Sequence, residues 1–371
     1  MIMNDMIHGG EWTGNDIKID FSVNLNPAGI PEAVKRLLQN AHPADFFGRY
    51  PDRECDGLRS LIAYKYKVDK ENIICGNGAS ELITNILRAF SILGIRKVML
   101  PIPTFLGYER GLKAPCLGDG LDIVFYSLDR REDLAFTERF LDAIEEFAGK
   151  GISEDKALIL CNPNNPTGRL MDKELFDKVI FLCKEHGIRI VVDECFLGFC
   201  ADGDRRSLKG ITADNPHVCV IDAFTKLYSI PGVRLGFMIS EDKRFNDTVR
   251  SILPEWNVSV PACEIGRVIL EEVKADYLTE TRELVKRERE YLCEELKKLG
   301  FIVCPGDTCF ILFRTPEEEK YDDLQVKLAE AGILIRNCGN FKGLDRYDHR
   351  IAVRTHRDNE ILITILRECF V

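Results

Sequence analysis

The chain has 371 residues, 45% of them hydrophobic and 30% charged, the balance of a globular protein with apolar side chains enough for a sizeable core. With 50 Lys and Arg against 60 Asp and Glu, its formal charge of -10 speaks against a nucleic-acid binder, which needs a basic face for phosphate contacts. No apolar run reaches the roughly 18 residues of a membrane helix, and the opening MIMNDMIHGGEW lacks the apolar stretch of a signal peptide, so a cytoplasmic protein is expected.

In chain order, residues 1–45 read as an irregular segment expected to pack on a smaller C-terminal domain. A strand-like run then ends in Gly76-Asn77-Gly78-Ala79-Ser80, followed by apolar residues at 82, 83, 86, 87 and 90, which is a helical period. From Lys97 short apolar runs at 97–101, 122–128, 157–163, 188–194, 218–224 and 233–239 alternate with longer stretches. The clearest helix is 171–187, ending on Gly187. Apolar strands alternating with helices predict an α/β large domain over 46–254, with a mostly parallel sheet covered on both faces. After Pro254, residues 261–299 read as one long amphipathic helix closed by Gly300. Strands at 301–304 and 309–314, a helix at 321–331, strands at 333–337 and 350–354 and a helix at 358–369 complete a smaller α+β domain over 255–371. The fourteen cysteines include no C-x-x-C pair and the six histidines give no zinc spacing, so no metal site is expected; buried thiols in a reducing cytoplasm are.

Four segments carry chemistry. The glycine turn at 76–80 opens a helix, whose free N–H groups and dipole can bind phosphate, or it is an ordinary strand-to-helix turn. CNPNNPTG (161–168) follows a buried strand, where a rigid turn can hold an amide over the sheet edge. VVDECF (191–196) ends a buried strand in two carboxylates; a pyridinium nitrogen, an arginine or a helix N-terminus could meet such an acid. In DAFTKLYSIPGVRLGF (222–237), Lys226 lies just past an apolar strand, where burial makes a lysine nucleophilic, and Arg234 could meet a phosphate.

A glycine turn, N-P-x-N-P-T-G, D-E-x-F and T-K-x-x-x-x-P-G-x-R-L-G, in this order and spacing, resemble the fold-type-I pyridoxal-phosphate enzymes (class I/II aminotransferase family) over nearly the whole chain. The resemblance implies an aspartate-aminotransferase-like fold and pyridoxal 5'-phosphate as cofactor. It implies that Lys226 forms the Schiff base, Asp193 pairs with the pyridine nitrogen and Asn165 bonds the ring hydroxyl. Gly78, Ala79, Ser80, Thr225 and Arg234 would then hold the phosphate and Phe105 would stack on the ring. Tyr50, in RYPD, would reach the phosphate of a neighbouring subunit, which implies a homodimer. An anionic partner keeps the ring nitrogen protonated, so that the ring accepts electrons from a bond broken at the substrate α-carbon.

Two subgroups are most similar: L-threonine-O-3-phosphate decarboxylases of cobalamin synthesis and histidinol-phosphate aminotransferases. The opening His8-Gly9-Gly10 with DFSVNLNPAG (20–29), the TKLYSIPGVRLGF segment and Phe196 in place of a tyrosine favour the decarboxylases. By the same resemblance His8, Arg336 and Arg350 are expected to bind substrate, Arg336 the distal phosphate and Arg350 the α-carboxylate; Arg354 is a further candidate whose place is left open. Ala223, three before the lysine, stands where a hydroxyl residue is usual. A phosphorylated amino acid is therefore the expected partner, decarboxylated in the first reading and transaminated in the second. A third reading, a non-catalytic scaffold on the same fold, is opposed by the intact Lys226, Asp193 and Arg234.

Overall fold

The computed structural model describes residues 9–10, 16–114, 121–152 and 154–370. Strand β1 (Ile19–Asp20) precedes the strands of the main sheet: β2 (Ile73–Gly76), β3 (Lys97–Ile102), β4 (Asp122–Ser127), β5 (Lys156–Cys161), β6 (Arg189–Asp193), β7 (Val218–Ala223) and β8 (Gly236–Ser240). Among the described residues these seven lie in the order β2-β8-β7-β6-β5-β3-β4. All six apolar runs between Lys97 and Ile239 are strands, and the sheet is parallel except that β8 runs antiparallel to both β2 and β7.

Apart from the edge strand β4, both faces of this sheet are buried, and the period-2 geometry of a strand divides its residues between them. Val98, Leu100, Ile159, Val191, Cys219 and Ile221 pack under the helix Ala79–Leu93, which contributes Leu82, Ile83, Ile86, Leu87 and Phe90. Met99, Leu158, Leu160, Ile190, Val192, Val218 and Val220 face the other way, onto Phe140, Ile144, Phe176 and Val179. The helix Lys173–Glu185 is capped by Asp172 and stops before Gly187, whose φ of 69° suits the left-handed turn expected there.

The C-terminal part holds β9 (Ile302–Val303), β10 (Phe310–Arg314), β11 (Ile333–Leu334), β12 (Arg336–Asn337) and β13 (Asp348–Ala352). A four-stranded sheet of order β12-β13-β10-β9 is antiparallel throughout, and β1 pairs with β11. The expected 333–337 strand is therefore two short strands serving different sheets. The last strand starts two residues earlier than the sequence suggests, because β10 pairs as far as Arg314↔Asp348. The expected helix over 261–299 is likewise two, Val260–Glu272 and Ala275–Lys298, separated by extended backbone at Val273 and Lys274. Each piece faces its own core. Ala262, Ile265 and Ile269 pack with Leu58, Ile62, Ile73 and Phe237 beside the main sheet. Leu292 and Leu296 pack with Phe21, Phe301 and Phe313. No helix among the described residues is long and apolar enough to cross a membrane.

This topology brings the chemistry to one edge. The parallel strands β5, β6 and β7 end at the same rim, β2 ends there too, and β8 starts there because it is reversed. The turns carrying Asn165, Asp193, Lys226, Gly78 and Arg234 consequently converge, as ligand sites do at the carboxyl edge of α/β sheets.

Candidate active site

A cavity of about 260 Å³ opens at this rim, between the main sheet and the C-terminal sheet. Ala79, Ser80, Phe105, Asn165, Asp193, Thr225, Lys226, Arg234, Arg336 and Arg350 all line it, so ten of the residues expected from the sequence meet in one place.

One end is built to receive an anion. The helix Ala79–Leu93 begins here with no side-chain cap among the described residues, flanked by Ser80, by buried Thr225 and by the Arg234 guanidinium. The glycines are required by this approach. A Cβ on Gly78, whose φ is +78°, would sit 2.8 Å from Arg234 Nη2, and one on Gly236 would sit 2.8 Å from Ala79 N. Ala223, the departure from the hydroxyl-bearing pattern, also lines the wall.

At the end of β6 the two carboxylates have different partners. Glu194 turns into the protein and meets Lys209 Nζ at 2.6 Å, while Ser207 Oγ and the Leu208 N–H also donate to it. Asp222 binds the same ammonium at 2.9 Å. Burial works against the Lys209 charge, yet the two carboxylates outweigh it and hold its pKa well above the ordinary value. Asp193 instead faces the cavity. Tyr108 Oη donates to Asp193 Oδ2 at 2.7 Å and the Cys195 N–H donates to Oδ1 at 3.0 Å. Burial pushes the Asp193 carboxyl up against the opposing pull of those bonds, and among the described residues no cation pairs with it.

Lys226 follows β7 in a single helical turn, Phe224–Leu227. Burial, helped by the Arg350 and Arg234 charges, lowers its pKa, and among the described residues its Nζ has no hydrogen-bond or ion-pair partner. Phe105 lines the same cavity and is braced edge-on by Tyr108, ring centroids 5.4 Å apart. Phe196 lines the wall where a hydroxyl-bearing tyrosine would otherwise reach the cavity.

The C-terminal sheet supplies two buried arginines. Arg350 donates through Nη1 to Asn165 Oδ1 and through Nη2 to Ser22 O, and its Nε has no partner. Burial lowers its pKa to about 10. Arg336 donates to Asn337 O and to Asn340 Oδ1, each at 2.7 Å. Of the neighbouring asparagines, Asn162 accepts from the Met171 N–H and Asn164 donates to Thr167 Oγ1 and to Pro103 O, whereas Asn165 lines the cavity. Arg354 points elsewhere, to Asp358 and Asp20 O.

Tyr50 does not line this cavity. It is 77% exposed and packs in a tilted arrangement against Trp256, ring centroids 4.9 Å apart. Gly78 shapes the anion end from behind the lining. His8 lies outside the described residues; its neighbour Gly9 lines the cavity, and the Gly10 N–H donates to Ser22 Oγ at 2.7 Å. The sequence reading passed over Tyr108, although it lies three residues after Phe105 on one helical turn, and Asn24, which lines the cavity with its buried Oδ1 unpartnered. No local pattern distinguishes Asn24.

An anion cradle, a lysine without a partner, a ring to cover a flat ligand and a buried carboxylate lacking a cation fit a planar, phosphorylated aldehyde with a protonated ring nitrogen. They define the class: a pyridoxal-phosphate-dependent enzyme on an aspartate-aminotransferase-like fold. The chain belongs to the aminotransferase class I and II family, whose model matches residues 16–366. Threonine-phosphate decarboxylase of Salmonella typhimurium is 33% identical, over 95% of this chain and 91% of that one. Histidinol-phosphate aminotransferase of Caldanaerobacter subterraneus subsp. tengcongensis is 31% identical, over 95% and 93%. The solved structure of histidinol-phosphate aminotransferase from Clostridium acetobutylicum has a TM-score of 0.81 at 29% identity, covering 94% of this chain and 98% of that one.

Proposed function

We propose that this protein decarboxylates a phosphorylated amino acid, O-phospho-L-threonine, in the cytoplasm and as a step of cobalamin synthesis. The observation that carries the reading is the pair of buried guanidinium groups, Arg336 and Arg350, in the same cavity as Lys226. Two fixed cations beside an amine-reactive lysine suit an amino acid with two anionic groups, a carboxylate and a phosphate.

In this reading Lys226 attaches the cofactor, Gly78, Ala79, Ser80, Thr225 and Arg234 hold its phosphate, Phe105 covers its ring, Asn165 bonds its hydroxyl and Asp193 faces its ring nitrogen. When bound, pyridoxal phosphate supplies an electron-withdrawing ring for the pair of a bond broken at the substrate α-carbon. Tyr108 and the Cys195 N–H favour the anionic form of Asp193 against its burial and orient the carboxylate. Arg350, already tied to Asn165 and Ser22, orients the α-carboxylate, and Arg336 takes the distal phosphate, with His8 assigned to the same group. The carboxylate leaves as CO₂, and the Lys226 ammonium returns a proton to the α-carbon from Nζ. Tyr50, exposed on its own chain, completes the phosphate site of a second copy in a homodimer.

A second reading, transamination of histidinol phosphate, is favoured by the relatives of that name at similar identity. Titrating the cofactor absorbance of the holoenzyme separates the two. O-phospho-L-threonine should bind at least about tenfold tighter than L-threonine, which lacks the phosphate, or histidinol phosphate, which lacks the carboxylate. Histidinol phosphate binding as tightly as O-phospho-L-threonine would refute the two-anion argument.

A further inference from the structure

Arg336 is held by the turn that follows it, Cys338–Phe341. The Phe341 N–H donates to Cys338 O at 2.9 Å, which closes a four-residue turn over Cys338–Phe341. Asn337 pins its base, accepting from the Gly339 N–H at 2.9 Å through Oδ1 and donating to Arg346 O at 2.8 Å through Nδ2. Gly339 allows this close approach: a Cβ there would lie 3.0 Å from Asn337 Oδ1 and 3.1 Å from Arg346 N.

The turn delivers two groups to one guanidinium. Asn340 Oδ1 accepts from Arg336 Nη2 at 2.7 Å, and the Phe341 ring centroid lies 5.3 Å from the guanidinium carbon. Both Arg336, 3% exposed, and Phe341, 4% exposed, line the cavity, whereas Asn340 is on the surface. A guanidinium is a planar fork, so a bond to one arm and a ring near it fix the plane in which it meets a tetrahedral anion. An arginine oriented beforehand also loses less side-chain entropy when the anion arrives.

We propose that Asn340 and Phe341 are positioning residues that set the protein's selectivity for substrates bearing a distal phosphate. This rests on the reading of Arg336 as the distal-phosphate ligand. The test measures kcat and KM of the holoenzyme for O-phospho-L-threonine, and competitive inhibition by inorganic phosphate, in four variants. Asn340→Ala should raise KM for O-phospho-L-threonine about tenfold and weaken phosphate inhibition in parallel, with a smaller change in kcat, the loss of one charge-assisted hydrogen bond. Phe341→Leu should act in the same direction, and Phe341→Tyr, which keeps the ring, should restore KM to within about twofold of wild type.

Arg336→Ala separates the two levels of the argument. If it abolishes phosphate inhibition while Asn340→Ala and Phe341→Leu leave inhibition and KM unchanged, the turn is not a selectivity element although Arg336 is the ligand. If Arg336→Ala itself leaves phosphate inhibition unchanged, Arg336 is not the phosphate ligand and both readings fall. Asn340 is a surface residue, so its variant carries the test even if Phe341→Leu does not fold.

Discussion

Replacing Tyr108 by phenylalanine removes one oxygen from the protein and little else, because Tyr108 is fully buried and its ring is already packed against Phe105. What it takes away is the 2.7 Å bond to Asp193 Oδ2, while the N–H and side chain of Cys195 still bond that carboxylate. A hydrogen bond to a buried charge contributes roughly 1.5–3 kcal/mol, and one pKa unit corresponds to about 1.4 kcal/mol. Burial already pushes the Asp193 carboxyl up and the Tyr108 bond pulls it down, so Tyr108→Phe should raise it further. The hydroxyl is a dependable donor in the wild type, since burial and the Asp193 charge hold its own pKa well above 10. With a weaker anion beneath the ring nitrogen, kcat should fall about ten- to hundredfold, and the acid limb of the kcat profile should move to higher pH. The assay is a pH titration of cofactor absorbance and kcat in wild type and Tyr108→Phe holoenzyme. A variant with kcat within about twofold of wild type and an unmoved acid limb would show that Asp193 does not depend on this bond.

Three further outcomes follow from the geometry. Gly78→Ala sets a Cβ against Arg234 at a positive φ; it should weaken pyridoxal-phosphate binding about tenfold or more, read by reconstituting the apoenzyme, and unaltered affinity would remove Arg234 from the phosphate site. Lys209→Met strips Glu194 and Asp222 of their shared cation and should lower unfolding free energy by about 3–5 kcal/mol in denaturant titrations; a loss below about 1 kcal/mol would contradict the pairing. His349 is fully buried with both ring nitrogens unpartnered, and burial drives its pKa to about 3. The unfolded chain takes up that proton first, so this contribution to stability is present above the unfolded pKa of about 6.5 and is lost as pH falls towards 3, by up to about 1.4 kcal/mol per pH unit. His349→Phe should flatten the fall in Tm between pH 7 and pH 5, and an equally steep fall would assign the acid sensitivity to other groups.

The strands of the main sheet were legible because several are apolar throughout, as strands covered on both faces are, although the edge strand β4 is partly exposed. The reversal of β8 was not, since VRLGFMI has the same texture whichever way it runs and its direction depends on the distant β2 and β7. The break at Val273–Lys274 was hidden for a similar reason. One amphipathic period continues across it, while the two cores it serves lie in different parts of the fold. Lys226, Asp193 and Arg234 could be singled out because each follows a recognisable strand or turn, and the family resemblance supplied the roles expected of them. Arg350 was expected from the resemblance alone; it lies within β13, opposite Leu312 of β10, whereas Arg354 lies beyond the end of that strand. The bond from Tyr108 to Asp193 spans 85 residues of sequence, and nothing local announces it.

The central claim is that the substrate carboxylate leaves the α-carbon, and carboxyl-labelled O-phospho-L-threonine tests it directly. Holoenzyme incubated with that substrate and no keto acid should release the label as CO₂ over many turnovers and form aminopropanol phosphate, and Lys226→Ala should release none. Label retained in the organic product, with a single conversion of bound cofactor to its amine form and turnover only after a keto acid is added, would contradict decarboxylation and make the protein an aminotransferase.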